Sequence, residues 1–242
     1  MRARFLAPLA IASILFLSAC QSTQSQSAAL EEAGGKLAKV DKVDVGAANT
    51  KVDVQEKVVL SDVNGSAVAV VLKNNSDQGL ADAPIAVNVK DAKGKSVYKN
   101  NLAGVDPALL TVPVIKAHDE VYWVNDQVLA TGTPKSVDVT VGEAKQQLPN
   151  ELPEIEVTKP VVKNDPTSGI EATGFASNKS DIEQTDLVLY AIARKGGKIV
   201  AAGRGLIPKL KVGGKEESYH IFFIGNPTGA DVTVIAPPVN LE

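Results

Sequence analysis

The hydrophobic pattern divides the chain into three kinds of segment. An uninterrupted apolar run extends from Phe5 to Leu17, and a stretch rich in Ser, Gln, Ala, Gly and Lys follows as far as about Asn49. Beyond Val52 the apolar residues come in short runs rich in β-branched side chains, separated by turn formers such as Asn64-Gly65. Runs of this kind are typical of β-strands, and no long stretch has a helical period. The pattern predicts an all-β fold.

Residues 65–142 resemble residues 169–236 when a few short gaps are allowed. The same order of turn, strand, turn and aromatic strand occurs in both segments. The aligned positions are Asn74-Asn75-Ser76-Asp77 with Asn178-Lys179-Ser180-Asp181, Asp82 with Asp186, Lys93-Gly94-Lys95 with Gly196-Gly197-Lys198, Val121–Val124 with Ile221–Ile224, and Asp138–Val141 with Asp231–Val234. Such self-similarity predicts a tandem duplication. Each copy contains about seven short strand-like runs, which is the number typical of a β-sandwich.

The repeat and the composition together predict the domain organisation. We expect one β-sandwich domain at residues 52–142 and a second at residues 154–242. Residues 143–153 between them are polar and contain two prolines, which is typical of a short linker. Residues 20–51 are too polar to offset their ordering entropy by burial, so they are predicted to be a flexible tether with a reach on the order of 30 Å.

Three segments of the second copy carry a family resemblance. They are Gly174-Phe175-Ala176-Ser177-Asn178-Lys179-Ser180, Asp186-Leu187-Val188-Leu189-Tyr190 and Gly197-Lys198-Ile199-Val200. Together they resemble the FxLYD-type domain of bacterial and archaeal envelope proteins, although Leu187 stands where the family has Phe and Ala191 where it has Asp. The resemblance implies a small immunoglobulin-like β-sandwich outside the cytoplasmic membrane, generally without a catalytic role. On this expectation the chain has two tandem immunoglobulin-like domains.

The N-terminus has the layout of a secretion signal. Arg2 and Arg4 precede the apolar run, and small residues come just before Cys20. The segment Leu17-Ser18-Ala19-Cys20 resembles the lipobox of bacterial lipoproteins. The resemblance implies that residues 1–19 are a signal peptide, that Cys20 carries a diacylglyceryl group, and that the new amino terminus is acylated in many bacteria. Two or more acyl chains anchor a protein stably in a membrane.

The charge and the cysteine count narrow the expected partners. Removal of Arg2 and Arg4 with the signal would take the formal charge from −3 to −5, and the sequence has no basic cluster suited to phosphate binding. Nucleic acid is therefore not expected as a partner. Cys20 is the single cysteine, so the chain forms no intrachain disulfide. The expected partners are a membrane, through the lipid, and another envelope protein or glycan.

The sequence predicts no catalytic residue, metal site or cofactor. Cys20 is committed to lipid, and no Gly-x-Ser-x-Gly nucleophile elbow occurs. His118 and His220 are the only histidines, and nothing completes a zinc site around them. Asp62-Val63-Asn64-Gly65-Ser66 begins like a calcium loop but lacks the later acidic ligands, so a hairpin turn is the better interpretation.

Two aromatic pairs are the candidate partner surface. They are Tyr122-Trp123 and Phe222-Phe223, in the aligned strands. Adjacent residues of a strand face opposite sides, so one member of each pair should enter a core. The other member, together with the groove between the domains, would form the contact surface.

The sequence therefore predicts a lipid-anchored envelope protein that acts as a non-enzymatic binding or scaffolding module. One alternative is an accessory component of an envelope-assembly or secretion system. An alternative of another class is a hydrolase with an unrecognised site. Gln21 is not the Asp that retains enteric lipoproteins at the inner membrane, which favours the outer membrane where a cell has two.

Overall fold

The computed structural model describes residues 45–101, 105–165 and 169–242, and these residues confirm the all-β prediction. Apart from one 3-10 turn, Pro107–Leu109, the regular elements of the described residues are strands. They are β1 (Val52–Asp62), β2 (Gly65–Asn74), β3 (Leu80–Lys90), β4 (Ser96–Lys99), β5 (Thr111–Ile115), β6 (Glu120–Asn125), β7 (Ser136–Val141), β8 (Gln146–Gln147), β9 (Ile155–Val157), β10 (Val161–Asp165), β11 (Gly169–Asn178), β12 (Gln184–Lys195), β13 (Lys198–Leu210), β14 (Glu216–Phe222), β15 (Ile224–Gly225) and β16 (Asp231–Ile235).

The strands pair in the same order in the two halves of the chain. In the first half β1, β2 and β6 form one sheet, while β3 pairs with β4, β5, β7 and β8 in another. In the second half β10, β11 and β14 form the counterpart of the first sheet, with β9 also on β11, and β13, β12 and β16 form the counterpart of the second. All described pairings are antiparallel, as expected for strands joined by short turns.

Local turn chemistry repeats as well. Asn74 and Asn178 are both fully buried at the end of β2 and β11. In each case the Asn Oδ1 accepts bonds from the amide and hydroxyl of the Ser two residues later, Ser76 or Ser180. The Asn Nδ2 donates to the carbonyl four residues later, at 2.7 Å in the first half and 2.8 Å in the second. These asparagines satisfy the polar groups of a tight turn that would otherwise lack partners.

The aligned residues Asp82 and Asp186 share an unusual backbone conformation. Their φ angles are 50° and 52°, in the left-handed region that non-glycine residues seldom adopt. Ala81 and Ala83 pair with Val114 and Val112 of β5, and Asp82 between them has no partner on that strand. Thr185 and Leu187 likewise pair with β13, and Asp186 between them does not. The strand pairing is therefore interrupted at equivalent points of the two halves.

The halves differ where one long strand replaces two short ones. β13 runs unbroken for 13 residues along β12. In the first half the equivalent path is divided into β4 and β5 by the segment that carries the 3-10 turn. Buried Asn100 fixes the exit from β4, because its side chain accepts from the Val87 amide at 2.8 Å and donates to the carbonyls of Ile85 and Leu109.

The two halves also share buried apolar surface. Along β12 the side chains alternate between two clusters: Leu187, Leu189 and Ala191 pack with the second half, and Val188, Tyr190 and Ile192 pack with the first. An Arg194–Glu56 ion pair at 2.6 Å and a 2.8 Å bond from the Gly225 amide to Asp62 flank this contact. The sheets β1-β2-β6 and β15-β13-β12-β16 thus pack face to face. The domain boundaries at 142 and 154 stay predictions.

The aromatic strands align differently in the structure than in the sequence. Trp123 of β6 lies opposite Val70 of β2, and Tyr219 of β14 lies opposite Gly174 of β11. Val70 and Gly174 each come four residues before the buried asparagine of their strand, so Tyr219 is the structural counterpart of Trp123. The predicted alignment of Val121–Val124 with Ile221–Ile224 is therefore wrong by four residues. The predicted alignment of Asp138–Val141 with Asp231–Val234 is wrong by two residues, because Val139 pairs with Val87 and Val234 pairs with the equivalent Ala191. A four-residue shift preserves the alternation of inward and outward positions, so the pattern alone does not reveal it.

Candidate functional site

A groove of about 1100 Å³ lies where the two halves and the segment between them meet. One wall consists of the β2–β3 loop and the start of β6, from the first half. The segment 147–155 forms a second wall, and residues 234–238, at and after the end of β16, form the third. The groove therefore exists only because residues distant in sequence come together.

The first wall is held by buried Asn74. Its Nδ2 donates to the Gln78 carbonyl at 2.7 Å and to the Lys116 carbonyl at 3.2 Å, which ties two loops that line the groove. The second wall is attached to the first at Gly79, whose carbonyl accepts the Leu148 amide at 3.2 Å. A Cβ on Gly79 would lie 2.5 Å from Leu148 Cδ1, so any larger residue here would displace the Leu148 side chain.

The third wall is held by Gln184, whose side chain is fully buried. Its Oε1 accepts the amides of Val239 and Asn240 at 2.9 and 3.1 Å, and its Nε2 donates to the Asn240 carbonyl at 2.9 Å. Pro237 and Pro238 precede this attachment and line the groove. Because proline restricts backbone rotation, this wall has little freedom to move into the groove. The groove is therefore preformed.

The lining combines apolar side chains with an acidic rim. Most lining residues are aliphatic or proline, and the charged ones are four acids and one lysine: Asp77, Asp119, Glu120, Glu154 and Lys116. Asp77 also contacts His118, with Oδ1 2.8 Å from Nε2, and both side chains are mostly exposed. His118 itself has a φ of 55°, so the β5–β6 turn is tightly bent beside the groove. The excess of carboxylates favours a cationic occupant.

The described lining residues include no Ser, Thr, Cys or His. His118 is adjacent to the groove, whereas His220 lies on β14 with Nδ1 2.9 Å from Glu171 Oε2. The two histidines therefore lie in different halves of the chain, one in a turn and one on a strand. Within the described ranges no group of three or more His, Cys, Asp and Glu residues has a metal-binding arrangement.

A second polar cluster lies inside the contact between the halves. Arg204 Nη2 is 3.0 Å from Asp106 Oδ2, and Asp126 Oδ2 accepts the Arg204 amide at 3.1 Å. Fully buried Tyr190 is the cross-strand neighbour of Arg204, and its hydroxyl has no hydrogen-bond partner among the described residues. Burial raises the pKa of Asp126 although Arg204 opposes this, and burial also raises the pKa of Tyr190. The cluster joins the halves; the side chains of Arg204 and Tyr190 are largely buried, whereas the Asp106 side chain is 40% exposed.

The four aromatic residues of the predicted partner surface lie in different places. Trp123 and Phe223 are 0% and 3% exposed, and Phe222 is 50% exposed on the outer face of the β10-β11-β14 sheet. Tyr122 is half-buried and shares a face of β6 with Asp126, which contacts the second half. One member of each pair is thus buried, but the other members do not share a surface.

Sequence reasoning named a groove between the halves but not the residues that build it. Gly79, Gln184 and the segment after β16 carried no recognisable motif, and the prolines in the segments 147–155 and 234–238 were the only available signal. The predicted lipidation site, Cys20, lies outside the described residues. Among the residues that are described, no helix is long and apolar enough to cross a bilayer.

No protein-family model matches this chain, and no curated protein matches it either. The fold and the groove are therefore the basis for a functional proposal.

Proposed function

We propose that this chain is a lipid-anchored envelope protein that binds a partner protein, without catalysis, in the groove between its two halves. The groove carries the proposal. Its volume of about 1100 Å³ lies at or above the range of roughly 300 to 1,000 Å³ usual for small-molecule pockets. An open, preformed site lined by a mixture of apolar and charged side chains resembles the composition of protein interfaces.

The duplicated architecture supports a scaffolding role. Three equivalences support two tandem immunoglobulin-like sandwiches. They are the strand pairing, the asparagine turns and the left-handed backbone at Asp82 and Asp186. The buried contact around Arg204 would keep the two sandwiches in one relative orientation. A fixed orientation would keep the walls of the groove at a constant separation, which lowers the entropic cost of binding.

The proposed anchor is Cys20, and it has its own test. Cys20→Ser should leave an unlipidated precursor, because the modified atom is the cysteine thiol. Membrane fractionation and intact mass of the exported protein measure this outcome. Normal processing with normal membrane retention in the variant would contradict the anchor.

Site-specific photo-crosslinking in native cells tests the groove. A photoreactive residue at Gln147 or Asn150, which are exposed in the groove, should give discrete adducts with a partner. The same residue at Phe175, exposed on the outer sheet, is the matched control. Adducts at Phe175 with none at Gln147 and Asn150 would reject the groove as the binding site.

A further inference from the structure

Building on the proposed function, we infer that the groove accepts an extended segment of a partner polypeptide that adds as a strand beside the end of β16. The segment would alternate apolar residues with lysine or arginine. It would take the position that residues 48 and 49 of the chain itself occupy in the first half. The two halves of the chain differ at this edge of the sheet.

In the first half the chain covers the end of β7 with its own backbone. Ala48 forms a β-bridge with Gly142, and the Asn49 amide donates to the Val141 carbonyl at 2.8 Å. These two residues come just before β1. The outer edge of the sheet is therefore closed at this point, which is how proteins commonly protect an unpaired strand edge.

The equivalent positions in the second half follow from the strand pairing. Val139 pairs with Val87 and Val234 pairs with Ala191, at equivalent points of β3 and β12, so Ala236 is the counterpart of Val141. Val52 pairs with Asn74 and Ile155 pairs with Asn178. Counting back three residues makes Leu152 the counterpart of Asn49. Ala236 and Leu152 both line the groove.

The chain does not close this second edge, because the segment before β9 binds elsewhere. Gln146 and Gln147 pair with Ala81 and Leu80 of β3, and the Leu148 amide donates to Gly79. Within the described part of the chain, no residue of the segment 143–153 donates a backbone hydrogen bond to Ala236. β16 is the last strand of its sheet, so its outer edge faces the groove without a neighbouring strand. Such an edge is a template for an added strand.

The lining specifies the chemistry of the added segment. Successive side chains of a strand point to opposite sides. A segment of alternating character would place its apolar side chains on the face of Val234 and Ala236, and its basic side chains on the opposite face, toward Glu120 and Glu154. Glu120 and Glu154 are exposed, and neither side chain has an assigned partner among the described residues, so both are available to a cationic ligand.

Binding of synthetic peptides to the full mature lipoprotein in detergent tests the inference. The probe is an acetylated peptide of alternating Lys and Val, measured by fluorescence anisotropy. The matched peptides have alternating Glu and Val, or the Lys-Val sequence with backbone N-methyl groups on one or the other alternate set of residues. We expect the Lys-Val peptide to bind at least about tenfold more tightly than the Glu-Val peptide, and one of the two N-methylated peptides to lose binding by a similar factor.

Charge reversal in the groove provides the protein-side control. Glu120→Lys and Glu154→Lys should each weaken binding of the Lys-Val peptide by about three- to tenfold, because a solvent-exposed charge attraction becomes a repulsion. Glu216→Lys, on the outer face of another sheet, changes the net charge equally and should leave the affinity unchanged. Thermal unfolding confirms that each variant is folded.

The outcomes separate this inference from the proposed function. Equal binding of the Lys-Val and Glu-Val peptides, or full binding of both N-methylated peptides, would overturn strand addition by a basic segment. If groove crosslinks in cells persisted after that result, the groove would still bind a partner by another mode. If those crosslinks were also absent, the proposed function itself would fail.

Discussion

The two halves of this protein have equivalent strand pairing and differ mainly in what covers their sheets. In the first half the face of β1-β2-β6 packs on the second half, and residues 48 and 49 close the end of β7. In the second half the face of β10-β11-β14 carries half-exposed Phe175 and Phe222, and the end of β16 opens into the groove. The second half therefore has a sheet edge that segment 143–153 leaves uncovered, because that segment pairs with β3 instead.

The largest expected effect concerns the buried aromatic residues of the two halves. Trp123→Ala should lower the free energy of unfolding by about 3 to 5 kcal/mol, because it removes a fully buried ring whose Nε1 donates to the Thr111 carbonyl. Its counterpart Tyr219 is 2% exposed, so Tyr219→Ala should lower the free energy of unfolding by a comparable amount. Phe222 is half-exposed, so Phe222→Ala should lower the free energy of unfolding by less than about 1 kcal/mol. Urea denaturation measures all three, and a small loss for Tyr219→Ala would contradict its equivalence to Trp123.

The buried asparagines give a second test of equivalence. Asn74→Ala and Asn178→Ala should each lower the free energy of unfolding by about 2 to 4 kcal/mol, because several turn groups lose their partner at once. The exposed Asn164→Ala is the matched control and should have little effect. Denaturation midpoints provide the measurement. If the losses of unfolding free energy differed greatly between Asn74→Ala and Asn178→Ala, the two turns would not be equivalent in energy.

How far the sequence predicted these features depends on the range of the interactions. The all-β class and the turns at Asn74 and Asn178 follow from local composition, because a turn is stabilised by residues two to four positions apart. The register of the aromatic strands does not follow from local composition, because a shift of four residues keeps the same side chains inward. The groove was predicted only as a location, because Gly79 and Ala236 meet through the path of the whole chain.

The contact between the halves should depend on Arg204 more than on Arg194. Arg204→Met leaves Asp126 partly buried without its cation, which should lower the free energy of unfolding by about 2 kcal/mol. Arg194 pairs with Glu56 nearer the surface, and Arg194→Met should lower it by less than about 1 kcal/mol. Calorimetry of both variants measures the difference. Equal small losses would show that apolar packing around Tyr190 and Ile192 alone holds the halves together.

The smallest expected effect is a pH dependence with opposite signs at two aspartates. Burial raises the pKa of Asp126, so the folded state binds its proton more tightly, and wild-type stability should fall as pH rises from about 3.8 through the raised value. Asp126→Asn should therefore gain stability relative to wild type over that interval.

Asp138 is the control of opposite sign. A hydrogen bond from Lys90 lowers its pKa, so its contribution is present above the ordinary value and is lost as pH falls. Asp138→Asn should lose stability relative to wild type at neutral pH and recover it in acid. Denaturation curves of both variants between pH 3 and 7 measure the two slopes. The same slope in both would contradict burial of Asp126.

Amide hydrogen exchange at one pair of equivalent residues tests the central claim that the second half leaves a sheet edge open. The Asn49 amide donates to Val141, whereas the amide of its counterpart Leu152 has no such acceptor among the described residues. In the protein without a ligand, we expect Leu152 to exchange at least about tenfold faster than Asn49 after correction for intrinsic rates. Equal protection of the two amides would mean that the chain closes the β16 edge itself, and that would contradict the account.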